Sequence, residues 1–296
     1  MDVKPTQSDD RILNALSFDI EDWFHLVAVK SVEDPATWSS MESLVERRTD
    51  ELLQICADAN VRATFFILGW IAERYPALVQ RIADAGHDLG THSYWHRTVY
   101  SLSEEEFRED ILRSIGCISE ASGREVVCFR APSFSITPGS EWAMDVLLDC
   151  GIQYDASLFP AARGHGGYAC PLGSHNFTAT PSGRSMPELP MSVMQVGPKR
   201  FAFSGGGYLR LFPEWLIHRG FKQCHRRGMP TVVYLHPRDI APDCPVVPMS
   251  SVRRFQSYVG LSTAAAKLRR ILERYRFGTC AEALAENLDG FSVEEQ

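Results

Sequence analysis

At least five times along this chain a short apolar run ends in polar, chemistry-bearing residues and gives way to a helical pattern. Residues 12–20 form the first run and end in acidic side chains. A helical pattern then covers 41–59, with Leu44, Val45, Leu52, Leu53 and Cys56 on one face. A strand at 62–68, a helix near 71–85 stopped by Gly86, and a strand at 87–91 follow. Ser103 and Glu106 have capping-box spacing ahead of a stripe of Phe107, Ile111, Ile115 and Ile118. Beyond it come a strand at 126–129, a helix at 138–150, a strand at 152–155, a helix at 213–227 and a strand at 231–235. The last clear helix, 263–275, puts Leu268, Ile271, Leu272 and Tyr275 on one face. Residues 156–210 are rich in Gly and Pro and read as a long irregular insertion. Strand–helix alternation of this kind points to a parallel sheet or barrel, in which active sites collect at the C-terminal ends of the strands.

Composition narrows the partners. With 37 acidic against 30 basic side chains the net charge is −7, which argues against general nucleic-acid binding. No run approaches the roughly 20 apolar residues of a membrane span. The opening residues 1–11 are a polar tail without an apolar signal region, and eight scattered cysteines without a CxxC read as small core residues. The expectation is a cytoplasmic protein.

The sharpest chemical signal is His92-Ser93-Tyr94-Trp95-His96. An i, i+4 spacing puts both imidazoles on one side of a helical turn, where they can share a metal. An anionic third ligand is available in Asp19-Ile20-Glu21-Asp22, where three carboxylates crowd the end of an apolar strand. On a regular strand Asp19 and Glu21 face the same side, and Asp22 joins them if the strand has ended or bulged. Arg130, directly after a buried strand, can hold a carboxylate, and Pro132 stiffens a loop whose N–H groups, that of Ser133 especially, could meet a developing oxyanion. Asp155 and His236 each end a further strand; a strand-end His with an Asp to orient it suits a general acid. Trp23, Phe24, Tyr208 and Phe212, with the glycines at 205–207, read equally as an aromatic binding platform or as core and turn.

The ordered motifs at 19–22, 92–96, 130–134, 155–157 and 235–236 resemble those of the NodB-homology polysaccharide deacetylases, carbohydrate esterase family four, across residues 12–236. Details such as DIEDWFH resemble the branch found in bacterial exopolysaccharide loci, near peptidoglycan-deacetylase and allantoinase-like members. The resemblance implies a distorted (β/α) barrel of about seven parallel strands over 12–240, with a C-terminal helical extension, 241–296, packed on it. It implies a divalent metal, Zn2+ first, with Co2+ or Ni2+ as alternatives. His92 and His96 would be ligands, and Glu21 or Asp22 the third, because the usual adjacent aspartate pair is interrupted by Ile20. Asp19 would be the general base, steadied by Arg130, and His236 the acid, oriented by Asp155. Ser133, Phe134 and Tyr208 would border the substrate. The activity implied is removal of N-acetyl groups from aminosugars of a carbohydrate partner, with a homo-oligomer left open. An allantoinase-like cyclic amide hydrolase and a non-catalytic glycan-binding barrel are the alternatives.

Overall fold

The computed structural model describes residues 12–293 apart from 28, 162 and 163; the polar tail 1–11 lies outside the described residues. Among the described residues eleven strands are formed: β1 Asn14–Ile20, β2 Thr64–Ile67, β3 Asp88–Thr91, β4 Cys128–Phe129, β5 Tyr154–Asp155, β6 His175–Phe177, β7 Met186–Glu188, β8 Val193–Val196, β9 Lys199–Ala202, β10 Val232–Leu235 and β11 Phe277–Gly278. Neighbours in the main sheet run β10-β1-β2-β3-β4-β5-β7-β6. All these pairings are parallel except β6 with β7, so seven strands form the parallel path of a curled half-barrel.

The two faces of β1 explain the layering. Leu16, Phe18 and Ile20 join Phe65, Ile67, Val233 and Leu235 in the core beneath the outer helices. Ala15 instead joins Phe66, Cys128, Tyr154, Val232 and Tyr234 inside the curl, where Cys280, Ala283 and Leu284 of the helix Cys280–Asn287 also pack. The C-terminal extension is therefore more than an outer layer: β11 pairs with β1, and Cys280 N–H donates to Thr64 Oγ1 at 2.9 Å. All eight cysteines are unpaired thiols, six of them buried. No helix among the described residues is long and apolar enough to cross a membrane.

Two local readings change. The helix expected over 71–85 is two, Gly69–Arg74 and Pro76–Asp84, because Pro76 forces Tyr75 out of helical geometry (φ −127°, ψ 57°). The stretch 156–210 is not wholly irregular: β7 extends the main sheet beyond β5, and β8 and β9 pair as a separate hairpin. Strands of three or four residues, one with Pro187 at its centre, are too short to show a period. The capping box does start its helix, Glu104–Ser122, which Gly123 ends in the left-handed region.

Register brings the strand ends level. Ile20 lies opposite Ile67, Ile67 opposite Thr91, Thr91 opposite Phe129, and Phe129 opposite Asp155, while Phe18 pairs with Leu235. Glu21, His92 and Arg130 therefore emerge at one end of the curl, with Asp19 and His236 side by side.

Two stability predictions follow from this packing. Alanine normally improves a helical glycine by about 1 kcal/mol. At Gly220 the added Cβ would lie 2.3 Å from the buried Phe203 ring, so Gly220→Ala should instead destabilise by about 1–3 kcal/mol in urea unfolding. Burial pushes the His87 imidazole down to about 4 while its Nδ1 accepts from Ala63 N–H at 3.2 Å. Between roughly pH 6.5 and 4 the unfolded chain binds a proton that the folded one refuses, so stability is lost as pH falls through that window. The urea midpoint of His87→Gln should fall less between those two pH values than that of the parent.

Candidate metal and acid–base site

Asp19 is 2% exposed at the end of β1. Its Oδ1 accepts from Arg130 Nη1 at 2.8 Å, and the same nitrogen reaches Ser17 Oγ at 2.8 Å. Arg130 is fully buried; its Nε donates to Ala156 O at 3.0 Å, and its guanidinium lies 4.2 Å from the Phe66 ring centre. A cation so placed compensates the Asp19 carboxylate and fixes its rotamer.

Glu21, His92 and His96 form the group able to hold a metal, each offering one ligand atom, all within 4.8 Å of one another. Glu21 Oε2 lies 2.6 Å from His96 Nε2, yet it is a buried oxygen without an aligned hydrogen bond. His92 commits Nδ1 to Arg130 O at 2.8 Å, which leaves Nε2 as its ligand atom. Burial pushes the His92 imidazole down to about 4, so it is neutral and able to ligate. Burial would raise the Glu21 carboxyl, but His96 beside it, with His236 and His92, holds it well below the usual range. One carboxylate and two imidazoles, with the cleft alongside, fit a divalent cation that keeps an open position.

Asp22 takes another path, and of the two candidate third ligands only Glu21 lies with His92 and His96. The strand does end at Ile20, but the Asp22 carboxylate turns to the helix Val45–Ala59, accepting from Leu44 N–H at 3.1 Å, Val45 N–H at 3.3 Å and the Ser43 hydroxyl. It also accepts from Trp23 N–H at 2.9 Å. With so many donors it serves as a helix cap. The helical turn expected over 92–96 is absent too. Ser93 (φ 65°) and His96 (φ 55°) are left-handed, and this loop brings the two imidazole centres to 5.1 Å. Asp110 fixes the loop by accepting from Tyr94 N–H at 2.5 Å and Trp95 N–H at 3.3 Å.

His236 faces this group from β10, its Nε2 3.7 Å from both Asp19 Oδ2 and Glu21 Oε1. Asp155 does not orient it. The Asp155 carboxyl bonds Ser157 and the Glu188 carboxyl, and burial pushes both acids up. The partner of His236 is Asp239, whose Oδ2 accepts from His236 N–H at 2.9 Å and lies 2.8 Å from Nδ1. Burial would lower the imidazole, but Asp239, helped by Glu21 and Asp19, pushes it up to about 9, so it carries its proton at neutral pH. The signal for Asp239 was the HPRD run itself, which sets an acid three residues after the His.

These groups line a cleft of about 640 Å³ that also takes in Ser133, Phe134, Tyr208, Gln256 and His25. Ser133 (φ 54°) and Phe134 (φ 56°) are consecutive left-handed residues, a strained turn at the cleft wall. Tyr208 is half-exposed there, whereas Trp23 and Phe24 are buried, Phe24 against Trp38 and Trp70, and belong to the core.

Residues 30–154 match the family described as polysaccharide deacetylase, and residues 156–285 match a domain of unknown function. A peptidoglycan-N-acetylglucosamine deacetylase of Bacillus cereus is 34% identical over 98 residues, 33% of this chain and 36% of that protein. The chain spans about a third or less of the length of the first curated relatives it matches. In fold, a candidate polysaccharide deacetylase from Mycobacterium smegmatis superposes with a TM-score of 0.64 at 19% identity, over 99% of this chain and 97% of the other. A family four pseudoenzyme from Bacillus anthracis superposes with 0.50 at 17% identity, over 95% and 67%. Residues 30–154 are thus similar to the polysaccharide deacetylases, by the family match and by the curated relative alike. The cyclic amide alternative gains no support from these matches.

The ligand assignment predicts opposite outcomes for neighbouring acids. Glu21→Ala should lose stoichiometric zinc in titration calorimetry. Asp22→Ala should bind zinc one to one but unfold about 1–3 kcal/mol more easily, having lost a cap and left amides unsatisfied. Zinc lost on the Asp22 change and kept on the Glu21 change would reverse the assignment.

Proposed function

We propose that the chain hydrolyses N-acetyl groups of N-acetylhexosamine residues in a bacterial glycan. The observation that carries this reading is the convergence of Asp19, the Glu21–His92–His96 group and His236 in one cleft. When bound, a divalent cation held by those three ligands polarises the acetamide carbonyl and acidifies water. Asp19, pinned by Arg130, is placed to take the proton from the attacking water. Water oxygen bonds to the carbonyl carbon, and the developing oxyanion is taken by a backbone N–H at Ser133, which borders the cleft. His236 gives its proton to the nitrogen as the C–N bond breaks, and acetate and the free amine leave. Its proton at neutral pH suits the acid role, because an amine is a poor leaving group unless protonated.

Acetate release from N-acetylglucosamine oligomers, with chelation and metal restoration, tests the reading. Asp19→Asn should lower kcat by about 10²–10⁴ while zinc stoichiometry is unchanged. Release of no acetate by the zinc-loaded parent, with binding of the oligomer intact, would favour a glycan-binding barrel instead.

A further inference from the structure

Arg210, on the helix Gly206–Leu211, is 5% exposed and lies in the half of the chain matched to a domain of unknown function. Its Nη1 donates to Val259 O at 2.6 Å and Ser257 O at 3.2 Å, and Nη2 donates to Gln256 O at 3.1 Å. These carbonyls end the helix Ser251–Tyr258, where a helix leaves its last carbonyls without internal partners. The same guanidinium forms an ion pair with Asp239, Nε 2.8 Å from Oδ1 but without an aligned hydrogen bond. The other oxygen of Asp239 holds His236, as described above. One buried cation thus joins the end of a cleft-wall helix to the carboxylate that sets the imidazole.

The joint is braced from behind. Lys267 Nζ donates to the carbonyls of Arg210 and Phe212 at 2.8 Å and of Leu209 at 3.2 Å. A Cβ on Gly260 (φ +70°) would come within 2.6 Å of Arg210 O, so the chain passes this point only as glycine. Capping carbonyls alone would not need a guanidinium shared with a buried carboxylate. Placing both contacts on one rigid planar group couples the wall to the acid.

We propose that Arg210 is a positioning residue for the deacetylation inferred above, on which this proposal rests. Through Asp239 it fixes the His236 ring for proton delivery, and through the carbonyls of residues 256–259 it keeps the cleft wall in step with that ring. Gln256 and Val252 of the same helix line the cleft, so substrate held there is registered against the proton donor.

The test compares two substrates of the zinc-loaded protein. An N-acetylglucosamine oligomer expels an amine that must be protonated, whereas 4-nitrophenyl acetate expels a phenolate that need not be. Arg210→Met should lower kcat for the amide by about 10²-fold or more while the ester rate stays within about threefold. Arg210→Lys, which keeps the charge, should recover part of the amide rate. If Arg210→Met does not fold, Arg210→Gln, which keeps donors for the carbonyls but removes the charge beside Asp239, should show the same amide-selective loss. Equal losses on both substrates, or none on either, would overturn the proposal. A parent that releases no acetate defeats the deacetylase reading alone. The link is then read from a crystal structure of Arg210→Met, where a displaced His236 ring supports it and an unmoved ring and wall helix overturn it.

Discussion

Two carboxylates, Asp19 and Glu21, are taken out of water at the mouth of the curled sheet, at a cost of several kcal/mol each unless compensated. Much of the surrounding architecture answers that cost. β1 is a central strand with its side chains alternating, so the apolar Leu16, Phe18 and Ile20 anchor it in one core while Ser17, Asp19 and Glu21 share the opposite direction. Arg130 answers Asp19 from β4's end, His96 answers Glu21 from the loop after β3, and His236 approaches both from β10. The strand order places these donors around β1, and the level register puts them at one height.

Charge within the cluster is close to balanced before any cation is added. Asp19, Glu21 and Asp239 oppose Arg130, Arg210 and a protonated His236. A dication on Glu21, His92 and His96 would leave the cleft floor positive, the sign that stabilises a developing oxyanion. It would also weaken the proton's hold on His236 by repulsion, which favours delivery to an amine. Stability and chemistry thus draw on one set of ion pairs.

What could be read from the sequence follows the length of each signal. β1, β2 and β10 are predominantly apolar runs, and with the short β3 and the helices between them they define a parallel α/β sheet. Asp19, His92, His96, Arg130 and His236 stood out because each sits just past such a run. The short strands β6–β9 and the break at Pro76 carried too few residues to outweigh the local composition. The pairing of polar groups was less legible still. Asp22 and Asp155 sit beside strand ends as Glu21 and Arg130 do, yet one caps a helix and the other bonds the Glu188 carboxyl. Those fates depend on Leu44 and Glu188, partners 22 and 33 residues away, which no local pattern names.

The division between the two matched families falls through the site. His92, His96 and Arg130 belong to the first segment, His236, Asp239 and Arg210 to the second, and Asp19 and Glu21 precede both. The two candidate histidine ligands and the cation beside Asp19 therefore come from one side, the proposed proton donor and its bracing from the other. The strand that carries Asp19 and Glu21 joins them, because β1 pairs with β2 on one edge and with β10 on the other. Neither segment alone holds a complete acid–base pair. The second segment also contributes β11 to β1 and Cys280 to the interior, so its folding and the placement of the proton donor are coupled through the same strand. A domain without an assigned function is in this chain the acid half of the candidate site.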